Sequence, residues 1–108
     1  MKKRIVLAAA LFLTMALSAM AASPIIRVIN ATGYAMYHLQ ISPASSKSWE
    51  EDVLGRDVLL DNEYVDVRLP KSGRWDVRLI DEDGDTYTLY NIRIYEDTDL
   101  TVGIDALD

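Results

Sequence analysis

The 108-residue chain contains no cysteine, one histidine, one phenylalanine, three prolines and five glycines. Without cysteine there is no disulfide, no lipid-bearing thiol and no thiolate ligand for zinc. With His38 as the sole imidazole, any metal site must be built from hard oxygen ligands. Basic residues are scarce and unevenly placed. Three of the eleven, Lys2, Lys3 and Arg4, stand at the start, ahead of an apolar run from Ile5 to Leu17 broken only by Thr14. Residues 22–108 therefore hold eight basic against 17 acidic side chains, a net charge of −9. That balance excludes a nucleic-acid binder working through a basic face, and the length excludes a multidomain enzyme.

Residues 1–21 read as a cleaved secretory signal peptide of bacterial type. A positive start, a 13-residue apolar run too short for a ~30 Å hydrocarbon core, and small residues at Ala19 and Ala21 predict export and a cut after Ala21. The remaining 22–108 form one domain, periplasmic or extracellular, with no membrane span once the signal is removed. A domain of this size buries only about 60–65% of its unfolded surface, so its stability must come from its core.

Apolar residues recur at every second position from Ile25 onward, and nowhere is a 3.6-residue period kept for three turns, so the domain is predicted all-β. Ile26 and Val28 open one strand. Ala35, Tyr37, Leu39 and Ile41 form one face of the next, with Tyr34, Met36, His38 and Gln40 opposite. Val65, Val67 and Leu69, then Trp75, Val77 and Leu79, then Leu100, Val102 and Ile104 mark further apolar faces. One dry and one wetter face per strand suits a small antiparallel β-sandwich of six to seven strands. Between Asp85 and Tyr95 the phase changes, with Tyr87 and Leu89 in one register and Tyr90, Ile92 and Ile94 in the other. Either a β-bulge near Tyr90 or a strand buried on both faces accounts for it. Thr32-Gly33, Pro70-Lys71-Ser72-Gly73 and Asp83-Gly84 read as hairpins, and Ser48 as the cap of a helical turn through Asp52.

No pattern of catalytic residues is legible: no Gly-x-Ser-x-Gly elbow, no glycine-rich loop entering a helix, no partner for His38 at readable spacing. The chemistry points to a non-catalytic binding or interaction module. The partner would be an unidentified protein or envelope component, and the contact residues Trp49, Ser48 and Ser46. Trp49 sits in a polar loop, where a large ring either plugs the open end of the sandwich, the favoured expectation, or serves as a contact anchor. An alternative is a small inhibitor presenting the Pro43–Asp57 loop to an exported enzyme. A third reading is a weak Ca²⁺-binding structural or adhesive domain. Asp81, Asp83 and Asp85 crowd one turn, though without EF-hand spacing. If successive strands alternate direction, Asp52 and Asp57 fall on the same rim and help to hold the cation.

At Asn30-Ala31-Thr32-Gly33-Tyr34, Ile41-Ser42-Pro43, Ser48-Trp49, Asp52-Val53-Leu54-Gly55 and Asp76 to Asp85, the chain resembles an uncharacterised family of small secreted bacterial β-domains. These share a Thr-Gly-Tyr hairpin, a Ser-Pro and Ser-Trp loop and an Asp-x-Asp-Gly-Asp turn. Some members carry an argininosuccinate lyase label. The resemblance implies fold and secretion but no reaction, since such a lyase is a large helical oligomer and residues 22–108 carry a strand pattern.

Overall fold

The structure, a computed structural model, describes residues 23–108; the expected signal peptide and the cut expected after Ala21 lie outside them. Six strands follow one another: β1 (Ile25–Ala31), β2 (Met36–Pro43), β3 (Tyr64–Arg68), β4 (Gly73–Asp81), β5 (Thr86–Ile94) and β6 (Thr98–Gly103). A 3₁₀ turn at Ile104–Ala106 comes after β6. They form two three-stranded sheets, β3-β1-β6 and β2-β4-β5, which close over a shared core as a small β-sandwich. Pairing is antiparallel except between β1 and β6, which run parallel. Among the described residues no helix is long and apolar enough to cross a membrane.

The period-2 pattern places the core. Ile26, Val28 and Val102 from one sheet meet Leu39, Ile41, Trp75, Val77, Leu79, Tyr87 and Ile94 from the other, all buried. In register, Leu39 stands opposite Leu79 and Ile41 opposite Val77, so the inward residues of neighbouring strands lie side by side. Each such side chain removed from water contributes about 1.5–3 kcal/mol, set against the entropy of ordering the chain.

Several sequence expectations need correction. Thr32-Gly33 and Pro70 to Gly73 are not hairpins: β1 and β2, like β3 and β4, belong to different sheets, so these turns are arches that carry the chain across the core. Asp83-Gly84, with Gly84 at φ 85°, does close a hairpin between β4 and β5. The phase of β2 shifts at Tyr37, where the ladder is irregular between Met36 and His38. Met36 turns inward with Leu39, and Tyr37 faces water. Ile104 lies in the 3₁₀ turn, half exposed rather than on an inward face. No helical turn follows Ser48. In β5 the bulge is the correct reading. Trp75 pairs with Ile92 and Val77 with Leu89, so Asp76 opposes both Tyr90 and Asn91. Asn91 adopts φ 58° and donates its N–H to Asp76 Oδ1 at 2.8 Å.

Both edges of the β2-β4-β5 sheet are covered. On one side the segment after β2 turns back along the strand, and Leu59 exchanges backbone hydrogen bonds with Met36. On the other, Leu107 bridges Tyr87, and the Asp108 carboxylate accepts the hydroxyls of Thr86 and Thr88. Covered edges leave fewer free backbone groups to recruit another chain.

Candidate functional site

The outer face of the β2-β4-β5 sheet carries a cluster of polar and aromatic side chains. Alternation sends Gln40 and Ser42 of β2 and Asp76 and Arg78 of β4 outward, and the β5 bulge turns Tyr90 the same way. Over this face folds the loop after β2, which side-chain and scattered backbone hydrogen bonds hold in place. Ser46 N–H donates to Pro43 O at 2.9 Å, and Ser46 Oγ both donates to Ser48 O at 2.8 Å and accepts Ser48 N–H. Glu50 N–H donates to Ser42 Oγ at 2.7 Å, and Gln40 Nε2 donates to Glu50 O. Short hydroxyl and amide side chains compete well for backbone partners, so a Ser-rich stretch after Pro43 makes a loop and not a helix.

Trp49 is neither a plug nor a bare anchor. It is half-buried, with its ring centroid 4.4 Å from the Arg78 guanidinium, well away from the mouth between the sheets. Arg78 donates from both Nε and Nη2 to Gln40 Oε1 and has no carboxylate partner among the described residues. On the opposite sheet, by contrast, Arg27 is paired with Asp66 at 2.8 Å. Ser46, Ser48 and Trp49, named together from sequence, do converge. They line one shallow depression of about 170 Å³ with Ser42, Lys47, Asp76 and Tyr90. Tyr90 is 64% exposed. The arrangement offers two aromatic rings, three serine hydroxyls and the Tyr90 phenol, one carboxylate and one ammonium, a set suited to a partner with polar groups around a flat apolar part. The sequence alone does not single out Gln40, Asp76, Arg78 and Tyr90: alternation marks the first three as outward, the β5 bulge turns Tyr90 outward of the phase it shares with Ile92 and Ile94, and nothing local marks them as gathered.

The acidic rim is different from the one expected. One carboxylate oxygen each of Asp81, Asp83 and Asp85 lie within 4.8 Å of one another. Asp81 is buried and engaged: Oδ1 accepts the N–H groups of Asp83 and Asp85 at 2.9 and 3.0 Å, and Oδ2 accepts Tyr87 Oη–H at 2.9 Å. Burial, reinforced by the Asp81 hydrogen bond, pushes the Tyr87 phenol up to about 12. Asp52 and Asp57 do not join this group. In the β2–β4 ladder Met36 opposes Asp81 while Pro43 opposes Trp75, so the loop leaves β2 at the far end. The Leu59–Met36 bridge acts as one further strand and reverses the count of directions. Asp57 instead lines a groove with Leu54 and Val58.

Asp52 lies beside β2, where Oδ1 accepts Leu39 N–H and Leu54 N–H and Oδ2 sits 2.8 Å from His38 Nδ1. Partial burial raises its carboxyl, but the Leu39 N–H, the His38 ring and the Leu54 N–H outweigh that and hold it below the usual carboxylate range. The pair is an oriented imidazole on the surface. Its carboxylate also organises the loop backbone.

No family model matches the chain, and no curated protein matches it. Among solved structures, the NMR structure of a protein from Eubacterium rectale is similar at a TM-score of 0.56 and 13% identity, covering 76% of this chain and 78% of that one. At that identity the likeness is one of fold.

Proposed function

We propose that this protein is an exported, non-catalytic binding module of the bacterial cell envelope or exterior. Its contact surface is the loop carrying Ser46, Ser48 and Trp49 on the outer face of the β2-β4-β5 sheet. The observation that carries this reading is the convergence of those three residues with Tyr90 and Asp76 around one depression. The loop is held there by hydrogen bonds that owe nothing to the core. Affinity capture from envelope extracts with the parent and with Trp49→Ala tests it. A component retained by the parent and lost by a variant that still folds supports the loop as the contact. Equal retention removes it.

A second reading rests on the Asp81, Asp83 and Asp85 oxygens, which suit a hard cation such as Ca²⁺ bound weakly at the turn. With Asp81 already taking three donors, Asp83 and Asp85 are the carboxylates free to act as ligands.

A further inference from the structure

At the end of the sandwich where β2 leaves and β4 enters, an open pocket of about 440 Å³ lies between the Pro43–Ser45 turn and the arch at Lys71 to Arg74. Its charged lining is Lys71 and Arg74, with no carboxylate, on a domain whose residues 22–108 carry a net charge of −9. Neither cation has an ion-pair partner among the described residues. The Arg74 side chain reaches only the Asn91 carbonyl, at 3.4 Å. Ser45, Ser72 and Asn91 add hydroxyl and amide groups around the same opening.

Trp75, 4% exposed, also lines this pocket. Its Nε1–H is buried and has no hydrogen-bond partner among the described residues. The nitrogen lies on the side of Gly73, where an added Cβ would stand 3.9 Å from it. Buried N–H groups are nearly always paired. An indole N–H can only donate, so the partner missing here is an acceptor. The two basic side chains at the mouth select among acceptors: they favour one that carries negative charge.

We propose that this pocket binds an oxyanion, a carboxylate or phosphate group of a small molecule. A small shift of the Lys71–Arg74 arch uncovers the Trp75 Nε1–H, which has no contact with solvent in this structure, and lets it donate to the anion at the floor, while Lys71 and Arg74 balance its charge at the rim. The site is separate from the Trp49 face and stands or falls independently of it.

The chain has two tryptophans, so in ¹⁵N-labelled protein the indole N–H resonances of Trp75 and Trp49 serve as probe and reference. Sodium phosphate and sodium acetate are titrated separately, with NaCl holding ionic strength constant. The expected result is a saturable downfield shift of the Trp75 indole proton with the Trp49 resonance unmoved. Response to phosphate alone, acetate alone or both identifies the oxyanion class. Lys71→Ala with Arg74→Ala, both at exposed positions, is expected to weaken binding at least tenfold while the unliganded Trp75 resonance keeps its place. A Trp75 resonance that follows neither anion, or a double variant that binds as the parent does, overturns the proposal.

Discussion

The ring of Trp49 and the guanidinium of Arg78 are stacked 4.4 Å apart on the outside of the β2-β4-β5 sheet, while Trp75, two strand positions away from Val77, lies in the core. The two tryptophans should therefore respond differently to truncation. Trp49→Ala loses a cation–π contact and part of its burial, about 1 kcal/mol. Trp75→Ala opens a cavity and costs about 3–5 kcal/mol. Urea unfolding of both variants checks this, and equal losses would place Trp49 in the structural core after all.

The carboxylate of Asp81 is the staple of the β4–β5 hairpin. Asp81→Ala strands the Asp83 and Asp85 N–H groups and the Tyr87 hydroxyl, with an expected loss of about 2–3 kcal/mol. Tyr87→Phe removes one of the three donors and should cost about 1 kcal/mol. Because the Tyr87 phenol titrates at about 12 when folded and near 10 otherwise, its contribution is complete below pH 10. It is lost as pH rises toward 12. Tyrosinate absorbance should show one late-ionising phenol that Asp81→Asn brings down.

Asp52 has the opposite sign. Its carboxyl is depressed in the folded protein, so its stabilisation is present above the unfolded value near 3.9 and disappears as pH falls through the lower folded value. The acid limb of stability against pH should flatten in Asp52→Asn, which carries no such charge. An unchanged acid limb would mean that the Leu39, Leu54 and His38 contacts do not favour the ionised form.

At the Asp81–Asp85 turn, a bound cation predicts a higher Tm in millimolar CaCl₂ than in NaCl of equal ionic strength, with EDTA reversing the difference. At ten times a dissociation constant near 10⁻³ M the gain is about 1.4 kcal/mol, several degrees for a domain of this size. Equal Tm values in the two salts, in the parent and in Asp83→Asn, would leave the turn as a hairpin alone.

What the sequence conveyed was the dry face of most strands, though not the start of β2, where Met36 rather than Tyr37 faces the core. Ile26 and Val28, or Trp75, Val77 and Leu79, alternate cleanly because each lies on a sheet with one buried side. What it did not convey was which strands pair. Thr32-Gly33 reverses the chain equally well into a neighbouring strand or across to the second sheet, since turn chemistry is local and pairing is not. The buried Asn30 shows how the arch is held: its amide donates to the Tyr34 and Leu59 carbonyls and its oxygen accepts from Thr32. Leu59, 29 residues away, gives no sign of this in its own neighbourhood. The same reasoning explains Asp52. Its bond to His38 requires the loop to run back along β2, which contacts such as Glu50–Ser42, Val53–Leu39 and Leu59–Met36 bring about. Ser46, Ser48 and Trp49 were visible as a group because they are adjacent in the chain. Their companions Asp76 and Tyr90 come from other strands.

The most direct measurement concerns Tyr90, which is 64% exposed, lines the same depression as Trp49 and can be truncated with a stability change within about 0.5 kcal/mol. Binding of envelope extract components to immobilised parent and Tyr90→Ala proteins, with Tm recorded for both, separates contact from folding. The expected result is at least a tenfold loss of the captured component at an unchanged Tm. Undiminished capture by Tyr90→Ala would contradict the assignment of this face as the contact surface.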